Sequence, residues 1–215
     1  MRVLIACEES QTVCLAFRNR GIECYSCDIQ RPSGGHEEWH IMGDVTPVLR
    51  GGVVQTMDGQ RHYIGRWDLV IAHPPCTDLA NSGARWFAEK QKDFRQQRAV
   101  AFFMLMLSAN ADRICIENPI GIMSTCYRKP DQIIQPYMFG EPFEKKTCLW
   151  LIGLPKLKPV NVCKPEPRIV FDSGKSMPKW YADCWGMPAD VRQRIRSKTF
   201  EGIATAMAEQ WGCLS

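Results

Sequence analysis

The 215-residue chain has no apolar run long enough to span a bilayer, which excludes a helical membrane span. It shows no secretory leader either. Met1-Arg-Val-Leu-Ile-Ala-Cys-Glu-Glu turns acidic after a few apolar residues, so it reads as a first core strand. Strong charge of one sign is missing: the formal net charge is +4, which permits a nucleic-acid partner without requiring one. Repeats, low-complexity tracts and a domain linker are absent, so one domain over residues 1–215 is expected. The turn after the first strand, Cys7-Glu-Glu-Ser10, contains no glycine, which denies it the backbone freedom of a phosphate-cradling loop. Paired cysteines are also missing. The eleven thiols are odd in number and follow no leader, so reduced cysteines and a cytoplasmic setting are expected. Cys24-x-x-Cys27, with His36 and His40 nearby, has no second cysteine pair at finger spacing, and no metal is expected.

What is present is a regular alternation. Arg2–Ala6 reads as a buried strand. Glu9-Ser10-Gln-Thr12 reads as the cap of a helix running through Phe17 and stopping at Gly21, and residues 22–28 as the second strand. Strand, helix, strand predicts an α/β fold with a mostly parallel sheet. Residues 31–38 form a loop, and residues 38–45 a third short strand or turn. Residues 53–66 suggest a hairpin excursion with its tip at Met57-Asp-Gly-Gln-Arg61. Trp67–Ala72, Ile114–Glu117 and residues 146–153 are further strands. Residues 95–109 read as a helix apolar nearly all round, hence buried, and Ser197–Trp211 as a terminal helix capped by Ser197 or Thr199. The stretch from Leu154 to Pro188 carries many prolines and glycines and no long regular element. Residues 156–198 are rich in Lys and Arg and hold Trp180, Tyr181 and Trp185, a composition that suits phosphates and stacked bases.

Two strand tips carry the chemistry. Asp68-Leu-Val-Ile-Ala-His-Pro-Pro-Cys76 ends in a thiol behind two prolines, and Arg113-Ile-Cys-Ile-Glu117-Asn-Pro ends in a carboxylate. In open α/β sheets the carboxyl ends of strands are where ligands bind. A cysteine and a glutamate on such tips are a candidate nucleophile and acid.

Pro74-Pro75-Cys76 and Glu117-Asn118-Pro119 resemble the Pro-Cys and Glu-Asn-Val signatures of the DNA cytosine-5 methyltransferases, in the same order. The resemblance implies a Rossmann-like, S-adenosylmethionine-dependent methyltransferase sheet with helices on both faces. It makes Cys76 the nucleophile toward cytosine C6 and Glu117 the group at N3. Lys145 and Lys146 stand where the family places arginines, with Lys146 the catalytic candidate and Lys145, Pro75 and Asn118 candidates for substrate contact. S-adenosylmethionine is the implied cofactor and DNA the implied partner. The cofactor candidates are Cys7, Glu8 and Ser10 in the first turn, Asp28 for the ribose hydroxyls, Asp44 for the adenine amine, Pro74, and Thr199 before the alanine-rich last helix. The first turn departs from the family's Phe-x-Gly-x-Gly. Residues 154–196 form a short insert where sequence-selecting members carry a large recognition region, as suits a compact enzyme of a bacterium or phage-infected cell.

Three alternatives share these residues. An amino-methyltransferase acting on adenine N6 or cytosine N4 would use Asp/Asn/Ser-Pro-Pro-aromatic, where this chain has His73-Pro74-Pro75-Cys76. The same C5 chemistry on RNA or a free cytosine nucleotide is the second. A non-catalytic methyltransferase fold that binds nucleic acid is the third.

Overall fold

The computed structural model describes residues 1–197 and 199–214; Lys198, at the end of the basic segment, lies outside the described residues. The chain starts with β1 (Arg2–Ala6), α1 (Thr12–Arg18), β2 (Glu23–Asp28), β3 (His40–Met42) and the single turn α2 (Val45–Val48). A hairpin of β4 (Val53–Gln55) and β5 (Arg61–Tyr63) precedes β6 (Trp67–Ala72). Helices α3 (Phe87–Lys92) and α4 (Arg95–Met106) lead to β7 (Ala111–Pro119). Then come α5 (Met123–Cys126), β8 (Gln132–Ile134), β9 (Thr147–Ile152), the hairpin β10 (Arg168–Val170) and β11 (Ser176–Pro178), and helices α6 (Lys179–Asp183), α7 (Ala189–Ser197) and α8 (Glu201–Trp211).

Seven strands form one sheet in the order β3-β2-β1-β6-β7-β9-β8. β1 pairs parallel with β2 and β6, β2 with β3, and β6 with β7, while β9 runs antiparallel to both β7 and β8. This is the mostly parallel, Rossmann-like α/β sheet expected. Strand order reverses at β1 and β6, and such a reversal opens a crevice at the carboxyl edge.

The central strands are buried on both faces, as a sheet covered by helices requires. Leu4, Ala6, Val70, Ala72, Ile114, Ile116 and Trp150 face a core closed by α2, the β4–β5 hairpin, α4 and α5. Phe103 of α4 meets Trp150 edge-on there, ring centroids 5.1 Å apart. Val3, Ile5, Leu69, Ile71, Cys115 and Leu149 face the opposite core under α1 and α8, where Phe17, Met207 and Trp211 are fully buried.

Several expectations change. The helix at 95–109 is not buried all round: only Gln96, Phe103 and Met106 are fully enclosed, and Met104 is 37% exposed. Ser197 closes α7 instead of opening the last helix, and α8 begins at Glu201 with Phe200 at its N-cap and no side-chain cap. Between Leu154 and Pro188 the elements are short, as expected, three-residue β10 and β11 and five-residue α6, while the nine-residue α7 that follows at Ala189–Ser197 was not anticipated. No helix among the described residues is long and apolar enough to cross a membrane.

Candidate active site

Beyond β6 the chain is pinned residue by residue. The His73 N–H donates to the Ala6 carbonyl (2.9 Å), which holds the strand exit against the end of β1. Pro74 is buried and Pro75 exposed. The Cys76 carbonyl accepts from the N–H groups of Leu79 (3.0 Å) and Ala80 (2.9 Å), so the chain turns directly after the thiol. Leu79 is fully buried, and its carbonyl accepts from the Ile122 N–H at 3.0 Å. Ala80 bridges to Gly121 in antiparallel fashion. The Cys76 loop is therefore stitched to the loop after β7. Asn118, itself buried, donates its Nδ2 to the Pro74 carbonyl at 2.7 Å. Its side chain ties the two tips together.

Glu117 lies on β7 beside this turn. Its Oε2 is 3.0 Å from His73 Nδ1, with the two side chains only 13% and 11% exposed. Burial pushes the Glu117 carboxyl up, but the His73 hydrogen bond and the charges of His73 and Lys145 outweigh it and hold the group below the ordinary carboxylate value. The Cys76 thiol moves the other way. Burial pushes it up and the Glu117 charge adds to that, while Lys145 and Lys90 pull it down.

Lys145 reaches the site because β9 is reversed. Pairing of Pro119 with Thr147 brings the start of β9 to the carboxyl edge of β7. Lys145 is half-buried with its Nζ 5.6 Å from the centre of the Phe200 ring. Lys146 is exposed and lines a separate cleft of about 480 Å³ with Gln135, Glu144, Arg168 and Pro178. Of the lysine pair, Lys145 is the one whose charge reaches Cys76 and Glu117.

The cofactor candidates spread along the ends of β1, β2 and β3. The glycine-free first turn is built from two residues in the left-handed region, Cys7 (φ 60°) and Gln11 (φ 58°). Burial, then the charges of Asp28 and Asp44, push the Cys7 thiol up to about 12, which places all three in one electrostatic neighbourhood. Asp28 accepts from the Gln30 N–H through Oδ1 at 2.9 Å. Asp44 caps α2, its Oδ1 accepting from Thr46 N–H (2.9 Å) and Thr46 Oγ1–H (2.8 Å). Glu8 has a different task. It is buried, and its two oxygens accept from the N–H groups of Val13 (2.6 Å) and Cys14 (3.1 Å), satisfying the first turn of α1. Glu8 thus shares the capping of α1 with Ser10, whose Oγ accepts from the Thr12 N–H at 3.4 Å, and it is already engaged. Ser10 Oγ accepts from the Thr12 hydroxyl at 3.1 Å. Thr199 is half-buried in the link between α7 and α8, next to Phe200, on the Lys145 side of the site.

The sequence reading missed two residues. His73 was visible ahead of the prolines, but only the pairing of β6 with β7 shows that it meets Glu117. Lys90 gave no signal at all. It is buried on α3, donates to the Thr77 carbonyl at 2.5 Å, and pairs with Asp78 at 3.1 Å, so it braces the turn that carries Cys76.

The Cys24/Cys27 group does not form a metal site. Three residues apart on a strand, the two thiols point to opposite faces and enter different cores. His40 uses Nδ1 toward Ser26 Oγ (2.8 Å) and Nε2 toward the Gln30 carbonyl (3.0 Å). Among the described residues no three His, Cys, Asp or Glu side chains gather as metal ligands would.

The insert is anchored beside the site. Trp180 donates its Nε1 to the Glu144 carbonyl at 3.2 Å and packs edge-on against Phe143 and Phe200, while Arg168 is ion-paired with Glu144. Farther out, Phe171 and Trp185 stack with centroids 5.5 Å apart, and Trp185 is 53% exposed.

No family model and no curated protein matches the chain. Among solved structures it is similar to a candidate DNA modification methyltransferase encoded within an E. coli prophage, with a TM-score of 0.44 and 15% identity. The match covers 70% of this chain and 46% of that one, so the chain spans less than half the length of that structure.

Proposed function

We propose that the protein transfers a methyl group from S-adenosylmethionine to C5 of cytosine in DNA, through a covalent Cys76 adduct with Glu117 at cytosine N3. The observation that carries this reading is the joining of the Cys76 and Glu117 tips at one sheet edge, through the His73–Glu117 and Asn118–Pro74 hydrogen bonds and the Ala80–Gly121 bridge. Cytosine C5 is a poor nucleophile. Addition of a thiolate to C6, with a hydrogen bond to N3, turns C5 into an enamine carbon. Cys76, rigid behind two prolines, suits the first role. Glu117, nearly buried and hydrogen-bonded on one oxygen by His73, suits the second. Lys145 stabilises both anionic groups. After methylation the C5 proton leaves, the C6–S bond breaks, and the thiolate is restored. In duplex DNA the target base must leave the stack to reach such an edge.

The residues present also fit the cofactor. Asp28 and Asp44 stand at successive strand ends, and each uses Oδ1 internally; among the described residues Oδ2 accepts no hydrogen bond, which suits ribose hydroxyls or an adenine amine. Cys7 supplies a neutral thiol between them. When bound, S-adenosylmethionine supplies the methyl group on its sulfonium. The compact basic insert, with Trp185 exposed, supports DNA as the partner.

The amino-methyltransferase alternative is disfavoured by engagement. The residue that would accept from the target amine is His73, and it is bound to Glu117, while Cys76 offers no ring to stack on a base. The test is mass spectrometry of nucleosides from unmethylated duplex DNA incubated with protein and S-adenosylmethionine. 5-Methylcytosine is expected with the native protein and none with Cys76→Ala. N6-methyladenine or N4-methylcytosine would sink the proposal.

A further inference from the structure

We propose that His73 is a positioning residue that loads Glu117 with the proton that carboxyl must present to cytosine N3. This rests on the function proposed above and names the source of a proton which that chemistry requires. N3 of cytosine is an acceptor, so Glu117 must arrive there as a donor. Yet Glu117 at rest is held ionised, below the ordinary carboxylate value. A carboxylate cannot donate, so a proton has to be delivered as the substrate engages.

The geometry singles out the neighbour that can deliver it. His73 Nδ1 lies 3.0 Å from Glu117 Oε2, within proton-transfer reach, and the surrounding side chains exclude most solvent. The backbone that carries the ring is fixed. Its N–H is held on Ala6, and Pro74 and Pro75 follow at once. The ring's other nitrogen, Nε2, is buried without a hydrogen-bond partner among the described residues, so the only bond the ring makes is the one to Glu117. An unmatched buried nitrogen is costly. A chain that retains one beside a depressed carboxyl is the pattern of a working group, not of a structural strut.

Two carboxyl groups face the ring. Glu117 approaches from β7 and the buried Glu8 from the β1–α1 turn, where the His73 charge opposes the upward push of burial on Glu8. Lys145, at the start of β9, is the cation that acts on Glu117, and the Cys76 thiol follows His73 on the same loop. The proton path balances. As the Cys76 thiolate, its proton already lost to solvent, forms the S–C6 bond, N3 takes a proton from Glu117. The imidazolium Nδ1–H bond breaks and its proton passes to Oε2. When the C5 proton has left to water and the S–C6 bond breaks, the N3 proton returns through Glu117 to the imidazole.

The experiment uses the full chain with 13C-labelled glutamate carboxyls. Glu117 titration is followed by NMR in the native protein and in His73→Gln, alongside the pH profile of methyl transfer. In His73→Gln the Glu117 carboxyl is expected to titrate at higher pH than in the native protein. Its transfer rate is expected to fall by about 100-fold, the lower range for loss of a proton-transfer group, with little change in KM for DNA. The alkaline fall in rate that marks loss of an imidazolium proton should disappear with the imidazole. His73→Ala is the second variant, and added imidazole should restore part of its rate. An unmoved Glu117 titration, or an alkaline limb retained in His73→Gln, would overturn the proposal. A native protein that makes no 5-methylcytosine overturns the proposed function instead, and the Glu117 titration still decides whether His73 governs that carboxyl.

Discussion

The Cys76 thiol sits among one carboxylate and two ammonium groups, and its reactivity reports the balance. Burial and Glu117 raise it above the ordinary thiol value, while Lys145 and Lys90 oppose them. The thiolate is the reactive form, so alkylation of Cys76 by iodoacetamide should follow its ionisation. Followed by peptide mass spectrometry to separate it from the other ten cysteines, the rate should rise with pH through a midpoint above that of a free thiol. Glu117→Gln removes a charge that disfavours the thiolate and should lower the midpoint. Lys145→Ala removes one that favours it and should raise the midpoint. Lys146→Ala should leave it in place, because Lys146 faces another cleft. A shift with Lys146→Ala equal to that with Lys145→Ala would show that the two lysines are wrongly assigned.

At the scale of elements, the loop after β6 and the loop after β7 form one unit. The Ala80–Gly121 bridge and the buried Leu79 hold it, and a Cβ at position 121 would lie 2.2 Å from the Leu79 carbonyl oxygen. Backbone cannot yield as a side-chain tip does. Gly121→Ala should therefore cost about 1–3 kcal/mol, as overpacking does, and lower Tm by several degrees. It should also reduce methyl transfer, because the Cys76 turn moves with Leu79. Gly186→Ala, where nothing lies within 4 Å of the added carbon, is the control and should be neutral in both. A Gly121→Ala protein with native Tm and native activity would refute the stitched-loop account.

The elements legible in the sequence were those whose apolar runs are continuous. β1, β2, β6, β7 and β9 are buried on both faces, so their composition alone marks them, and the two chemical tips follow from where those runs end. What failed depended on contacts between segments distant in sequence. The Glu8 cap on α1 relies on Cys7 and Gln11 adopting left-handed backbone, which neither residue type announces. The choice between Lys145 and Lys146 depends on the register of β9 against β7, one residue either way. α7 was missed because its arginines leave little apolar stripe to read.

For the whole molecule, the decisive feature is the sheet edge where strand order turns back at β1 and β6. The reversed β9 brings a cation to that edge, and the insert, tied by Trp180 and Arg168 to Glu144, flanks it. One rim thus carries acidic groups at the ends of β2 and β3, a thiol and a carboxyl at the ends of β6 and β7, and a basic, aromatic wall beside them. The most direct test of this arrangement is covalent trapping with duplex DNA in which 5-fluorocytosine replaces cytosine, in the presence of S-adenosylmethionine. Fluorine cannot leave C5 as a proton does, so elimination stalls after methyl transfer. The account predicts a denaturation-stable protein–DNA adduct whose cross-linked peptide contains Cys76, and which is lost in Cys76→Ala. An adduct absent from the native protein under conditions where DNA binds, or one that persists in Cys76→Ala, would contradict it.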